Sequence, residues 1–111
     1  LLGCSTGQIQ GDRLAAAGEI ADRFRAVVIL KGSGTVIAAP SRLTCINPTG
    51  SARLATAGTG DVLAGMVAAR LAARAQAFDA ACAAVYRHGA AADSWPPDRP
   101  LTAGDLARAV R

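Results

Sequence analysis

Five consecutive apolar residues, Ala26 to Leu30, run straight into Lys31-Gly32-Ser33-Gly34. A short run of that kind, mostly β-branched and stopped by glycines, reads as a strand buried on both faces. Such a strand needs covering elements, and the flanking sequence supplies them. Upstream, Asp12 is a candidate N-cap, and Leu14, Ala17, Ile20, Ala21 and Phe24 recur at helical spacing. Before them, Leu1 to Gly11 reads as a loop. Downstream, Thr35 to Ala39 reads as a second strand, and Pro40-Ser41 turns the chain into a third, Leu43 to Ile46. Asn47 to Gly60 follows no period and reads as a long loop, a kind of segment that is usually functional. A helix then starts near Thr59 or Asp61, with Val62, Leu63, Met66, Val67 and Leu71 as its apolar stripe. Another is expected from about Phe78 to Asp93, ended by Trp95-Pro96-Pro97. Thr102 with Asp105 resembles a capping box for a last helix. Helix, strands, then packed helices point to a layered α/β fold.

Composition narrows the class further. A length of 111 residues with 51% hydrophobic content and a net charge of +4 excludes disorder. Much of that content is alanine, so large core side chains are scarce. The 12 glycines and 5 prolines follow no period, which excludes a collagen-like chain. No apolar run approaches the length of a membrane span. With neither repeat nor linker, the chain reads as one unit, and Leu1 in place of Met reads as a piece of something longer. The pI is about 9.6. Eleven of the 12 basic residues are arginines scattered singly from Arg13 to Arg111, without the clustering and interleaved aromatics of nucleic-acid binders. Cys4, Cys45 and Cys82 are odd in number and form no CxxC pair. That disfavours a disulfide framework or a zinc site, suits the reducing cytoplasm, and leaves each as a small buried hydrophobe.

Two glycine-rich segments could carry chemistry. Ala55-Thr56-Ala57-Gly58-Thr59-Gly60-Asp61 opens directly into the apolar helix. Small residues let backbone N–H groups approach an anion, and a helix start leaves several such donors unpaired. The segment could cradle a phosphate, with Asp61 in the first turn accepting a proton from an attacking hydroxyl. The competing reading is that Thr59 or Asp61 merely caps a helix. A dinucleotide fingerprint lacks its third glycine here, and a Walker loop is excluded because Lys31 precedes its glycines. Lys31-Gly32-Ser33-Gly34-Thr35, holding the sole lysine, could bind a nucleotide phosphate or ribose edge, or could be an ordinary hairpin turn. His88, near Tyr86 and Asp93, stands between packing and function. Arg53 could meet a phosphate or be solvated, and Trp95 reads as packing or a rim contact.

Taken in order, Leu30-Lys31-Gly32-Ser33-Gly34-Thr35-Val36-Ile37-Ala38, Ile46-Asn47-Pro48-Thr49-Gly50, Leu54 through Met66 and Val85-Tyr86-Arg87-His88-Gly89 form a distinctive set. The set resembles the C-terminal part of the ADP- or ATP-dependent NAD(P)H-hydrate dehydratases, in the ribokinase-like superfamily of α/β/α sandwiches. The resemblance covers nearly the whole chain from Gly3. It implies that residues 1–111 are the C-terminal part of one such domain, whose N-terminal part, with a His-Pro-Gly-Glu segment, lies outside this chain. It also implies repair of damaged nicotinamide cofactor. (6S)-NADHX or NADPHX is dehydrated to NADH or NADPH while ADP or ATP donates a phosphoryl group, with Mg2+; the residues themselves, as above, argue against a membrane or nucleic-acid partner. Homo-oligomers are common in the family.

Carried over by residue, the resemblance makes Lys31, Gly32, Ser33, Gly34 and Thr35 the first nucleotide-binding segment. Ser51, Ala52, Arg53, Leu54, Ala55, Thr56, Ala57, Gly58, Thr59 and Gly60 form the second. Asp61 is then the substrate contact and catalytic base, and no residue is assigned to a metal. Ser51 stands where many members carry Asn, and Arg53 where a small residue is common, so both bear on the choice between ADP and ATP. The chain by itself is expected to hold half a site and to be inactive. Two alternatives are a ribokinase-like kinase of small alcohols and a non-catalytic nucleotide-binding fragment.

Overall fold

Helix α1, Arg13–Phe24, begins where Asp12 accepts a hydrogen bond from the Ala15 N–H, and it ends at Arg25, which adopts the left-handed conformation (φ 50°). This is the computed structural model of the chain, and it describes Gly3, Gly7 and residues 12–111. Apart from those two glycines, the loop expected over Leu1 to Gly11 lies outside the described residues, as does Cys4. Three short strands follow α1: β1 (Val28–Leu30), β2 (Val36–Ala38) and β3 (Cys45–Ile46). They form an antiparallel sheet in the order β1-β2-β3, with Leu30 opposite Val36 and Val36 opposite Ile46.

The strand expected to be buried on both faces is not β1, whose three residues are all half-buried. Within the described sheet β1 has one neighbour and β2 has two, so β2 is the strand buried at every residue. Val36 and Ala38 meet Ala17 and Ala21 of α1, with Val28 and Leu30 packed against them. Two alanines one turn apart remove side-chain bulk and let the helix lie close on the sheet. Ile37 is buried on the opposite face of the strand. Cys45 and Ile46 of β3 are exposed. Cys45 is therefore no buried hydrophobe, and Cys82 is half-buried.

The chain divides into two compact units, one ending at Asn47 and the other beginning at Pro48. The second unit holds a 3-10 turn (Ala52–Ala55) and helices α2 (Thr59–Ala72), α3 (Ala77–Asp93) and α4 (Ala103–Ala109). Part of the expected long loop is thus ordered into the turn. In α3 the buried face is Ala80, Ala81, Ala84, Val85, His88, Gly89 and Ala92, a stripe at helical spacing made almost wholly of small residues. Ala92, Leu101 and Leu106 form a cluster that Leu54, Val62 and Trp95 pack against. Trp95 also donates its indole N–H to the Pro100 carbonyl at 3.2 Å, which holds the chain after α3.

The apolar stripe expected on α2 is looser than its pattern suggests. Leu63 is buried, Val62, Met66 and Val67 are half-buried, and Leu71 is 45% exposed. At about 100° per residue these five positions spread over about half the helix circumference, wider than one contact face. The capping box on α4 is present. The Thr102 hydroxyl accepts from the Asp105 N–H while the Asp105 carboxylate accepts from the Thr102 N–H.

Candidate functional site

The Lys31–Thr35 segment is the hairpin connection between β1 and β2. Its conformation rests on two glycines, Gly32 (φ 155°) and Gly34 (φ 65°). Thr35 Oγ accepts from the Gly32 N–H at 3.3 Å and donates to the Gly32 carbonyl at 3.1 Å, so the threonine closes the turn upon itself. Lys31 is exposed. Beneath the turn lies a residue that the motif reading did not single out. Arg13, the first residue of α1, donates to Leu30 O at 2.8 Å, Ser33 O at 2.6 Å and Gly34 O at 3.3 Å. Its Nε is buried with no partner among the described residues. The sequence held one clue. A cation in the first turn opposes the helix dipole, and α1 has no acidic residue there to offset it.

Gly58 in the left-handed conformation (φ 88°) is the N-cap of α2, with no side-chain capping bond. The bland expectation, a helix capped by Thr59 or Asp61, therefore fails. Thr59 is turned inward instead. Its hydroxyl lies 2.6 Å from Leu54 O and 2.9 Å from Thr56 O, and the residue is 5% exposed. Among the described residues no side chain caps this helix start; of its first-turn N–H groups, that of Thr59 donates to Thr56 O at 3.3 Å and that of Asp61 to Gly58 O at 3.2 Å, and a helix start leaves others without an intrahelical partner. Asp61 is exposed in that first turn. It lines an open groove of about 620 Å³ together with Val62, Met66, Arg70, Arg87 and Arg111.

His88 supports the same helix start from below. It is 6% exposed, and its Nε2 lies 2.8 Å from the Thr59 carbonyl oxygen. A carbonyl only accepts, so Nε2 carries the proton. His88 thus steadies the anion-facing turn through its backbone rather than standing in the opening. Upstream, Gly50 N–H donates to Asp93 Oδ2 at 2.8 Å and Thr49 Oγ donates to Tyr86 O at 2.9 Å, which ties the start of the loop to α3. Arg53 is half-buried. It donates to Trp95 O at 3.3 Å and Pro97 O at 3.5 Å. Ser51 precedes the 3-10 turn without a capping bond, and Thr56 Oγ donates to Arg53 O at 2.9 Å.

Ser51–Asp61 therefore lie together in the second unit, on one loop and one helix start, and Lys31–Thr35 lie in the first. Among the described residues no three His, Cys, Asp or Glu side chains gather as a metal cage. Magnesium in nucleotide sites takes its ligands largely from phosphates and water, with one or two carboxylates. The residues present fit an ion carried in by a nucleotide. No helix among the described residues is long and apolar enough to cross a membrane.

A family model described as NAD(P)H-hydrate dehydratase matches residues 1–110. The ADP-dependent (S)-NAD(P)H-hydrate dehydratase of Neisseria meningitidis serogroup B is 46% identical over 107 residues, which is 96% of this chain and 36% of that protein. The Bacillus subtilis enzyme of the same name is 40% identical over 95 residues, 86% of this chain and 34% of its own length. A crystal structure of the ADP/ATP-dependent NAD(P)H-hydrate dehydratase from Bacillus subtilis, obtained with ATP and Mg2+, superposes with a TM-score of 0.90 at 37% identity, covering 98% of this chain and 40% of that one. The chain spans about a third of the length of these two curated relatives. With both glycine-rich segments in place and the family model matched almost end to end, the chain belongs to the NAD(P)H-hydrate dehydratase family.

Proposed function

We propose that this chain supplies the nucleotide-binding segments and the catalytic carboxylate of an ADP- or ATP-dependent NAD(P)H-hydrate dehydratase, as the C-terminal part of one ribokinase-like domain. The observation that carries the proposal is the start of α2. A left-handed Gly58 opens the helix without a side-chain cap, and an exposed Asp61 stands in its first turn. The N–H groups that an uncapped helix start leaves without a partner suit a transferring phosphoryl group, and a carboxylate one residue on suits the proton that the transfer releases.

In this reading the Gly58–Gly60 turn holds the terminal phosphoryl group of the nucleotide, with the Gly58 and Gly60 amides as its donors. Asp61 takes the proton of the hydrate's ring hydroxyl. The hydroxyl oxygen forms a bond to phosphorus as the bond to the departing AMP (or ADP) breaks. The phosphate ester is a far better leaving group than hydroxide. It departs as inorganic phosphate while the ring loses a carbon-bound proton and regains its double bond. Mg2+, when bound with the nucleotide, neutralises phosphate charge and is held mainly by the phosphates themselves. The family resemblance assigns Lys31–Thr35 and Ser51–Ala57 to nucleotide binding. We place the reaction in the reducing cytoplasm, on the cysteine pattern, and without a nucleic-acid partner, on the scattered arginines.

The test uses the native-length protein, NADHX and Mg2+, following recovery of reduced-nicotinamide absorbance with ADP, with ATP and with neither. Recovery is expected with one of the nucleotides and not without. Asp61→Asn is expected to lower kcat by about 10²–10⁴-fold, the usual worth of a general base. No recovery with either nucleotide would overturn the dehydratase reading in favour of a kinase of small alcohols.

A further inference from the structure

We propose that Arg13 is a positioning residue for the nucleotide site: its guanidinium gathers the carbonyls of the 30–35 turn and thereby turns that segment's N–H groups outward. The inference rests on the nucleotide reading of Lys31–Thr35. Arg13 donates to Leu30 O at 2.8 Å, Ser33 O at 2.6 Å and Gly34 O at 3.3 Å. No peptide bond among the described residues is cis. In a trans peptide the C=O and the following N–H point in opposite directions. Drawing those three carbonyls toward the guanidinium therefore aims the N–H groups of Lys31, Gly34 and Thr35 away from it. A cation on the carbonyls also polarises each peptide and strengthens its N–H as a donor to an anion.

Two further features fit this role. Asp12 caps α1, so its first residue, Arg13, is held at a fixed point rather than on a loose loop. Gly32 leaves the guanidinium its seat, since a Cβ at that position would lie 2.8 Å from Nη2 and 3.0 Å from Cζ of Arg13. A lysine could not substitute. Its ammonium is a point charge without the planar fork that reaches several carbonyls at once.

The experiment is calorimetric titration of ADP and ATP, with Mg2+, into the native-length protein and its Arg13→Ala and Arg13→Lys variants, followed by addition of methylguanidinium. Arg13→Ala is expected to weaken nucleotide binding by about tenfold or more, in the range of a lost charge-assisted contact. Methylguanidinium is expected to restore part of that loss, and KM for the hydrate is expected to stay near the parent value. Arg13→Lys, which keeps the charge and the fold, is expected to bind several-fold more weakly than the parent. Variants that bind nucleotide like the parent would overturn the inference, as would a loss of affinity that methylguanidinium leaves untouched and that weakens hydrate binding equally. A parent protein that binds neither nucleotide would overturn the nucleotide reading, and this inference with it.

Discussion

At Gly89, α3 comes so close to the backbone of Thr49 and Gly50 that a methyl group has no room. A Cβ there would run into Thr49 Oγ and would lie 2.7 Å from Thr49 C and 2.8 Å from Gly50 N. Gly89→Ala would gain about 1 kcal/mol of helix propensity. It would also drive the 48–50 segment off the helix, and overpacking of this kind costs about 1–3 kcal/mol. The expected result is net destabilisation in urea unfolding of the native-length protein, with weakened Thr49–Tyr86 and Gly50–Asp93 bonds and poorer nucleotide binding. Local chemistry of the sequence reveals only part of this. Asp12, Thr102 and the Trp95-Pro96-Pro97 break act on neighbours within a few residues, so their roles are readable. The bonds of Arg13 to the 30–34 carbonyls and of His88 to Thr59 join residues far apart in sequence, and no periodicity encodes them.

Among the elements, α4 has only seven residues, so its ends carry unusual weight. The Thr102 hydroxyl bonds and the Arg108 ion pair at 2.7 Å hold the Asp105 carboxyl below the usual carboxylate range. A carboxylate more acidic in the folded state than in the unfolded one stabilises above its unfolded value, and that contribution is lost as pH falls through the folded one. The native-length protein is therefore expected to lose stability in acid partly through Asp105, and Asp105→Asn should flatten the acid limb of a Tm-versus-pH series. Thr102→Ala, which removes the cap, should cost about 1 kcal/mol. The sheet is less legible in the sequence than the helices are. The apolar run Ala26 to Leu30 signalled a strand, but run length alone does not say how many neighbours a strand has, and β1 has one within the described sheet.

For the molecule as a whole, the family was legible because both glycine-rich segments keep their order and spacing, each with a physical reason to do so. The division at Asn47 and Pro48 was not, since no change of composition marks it. The matched relatives are about three times as long as the segment that this chain matches. The 111 residues expressed alone are accordingly expected to turn over NADHX at less than about a hundredth of the native-length rate, a loss of more than about 2.7 kcal/mol in transition-state stabilisation. Equal rates would show that the half-site reading is wrong.

The buried alanines have a thermal consequence. Ala16, Ala17, Ala21, Ala38, Ala80, Ala81, Ala84 and Ala92 all lie at 7% exposure or less. Each methyl withdraws little hydrocarbon from water, and it is the exposure of hydrocarbon that makes the heat capacity rise on unfolding. A region paved in this way depends on close backbone approach rather than on hydration. Its free energy should bend less with temperature, so that it weakens little on cooling toward 0 °C and differs most from a leucine-rich core of the same size in the cold.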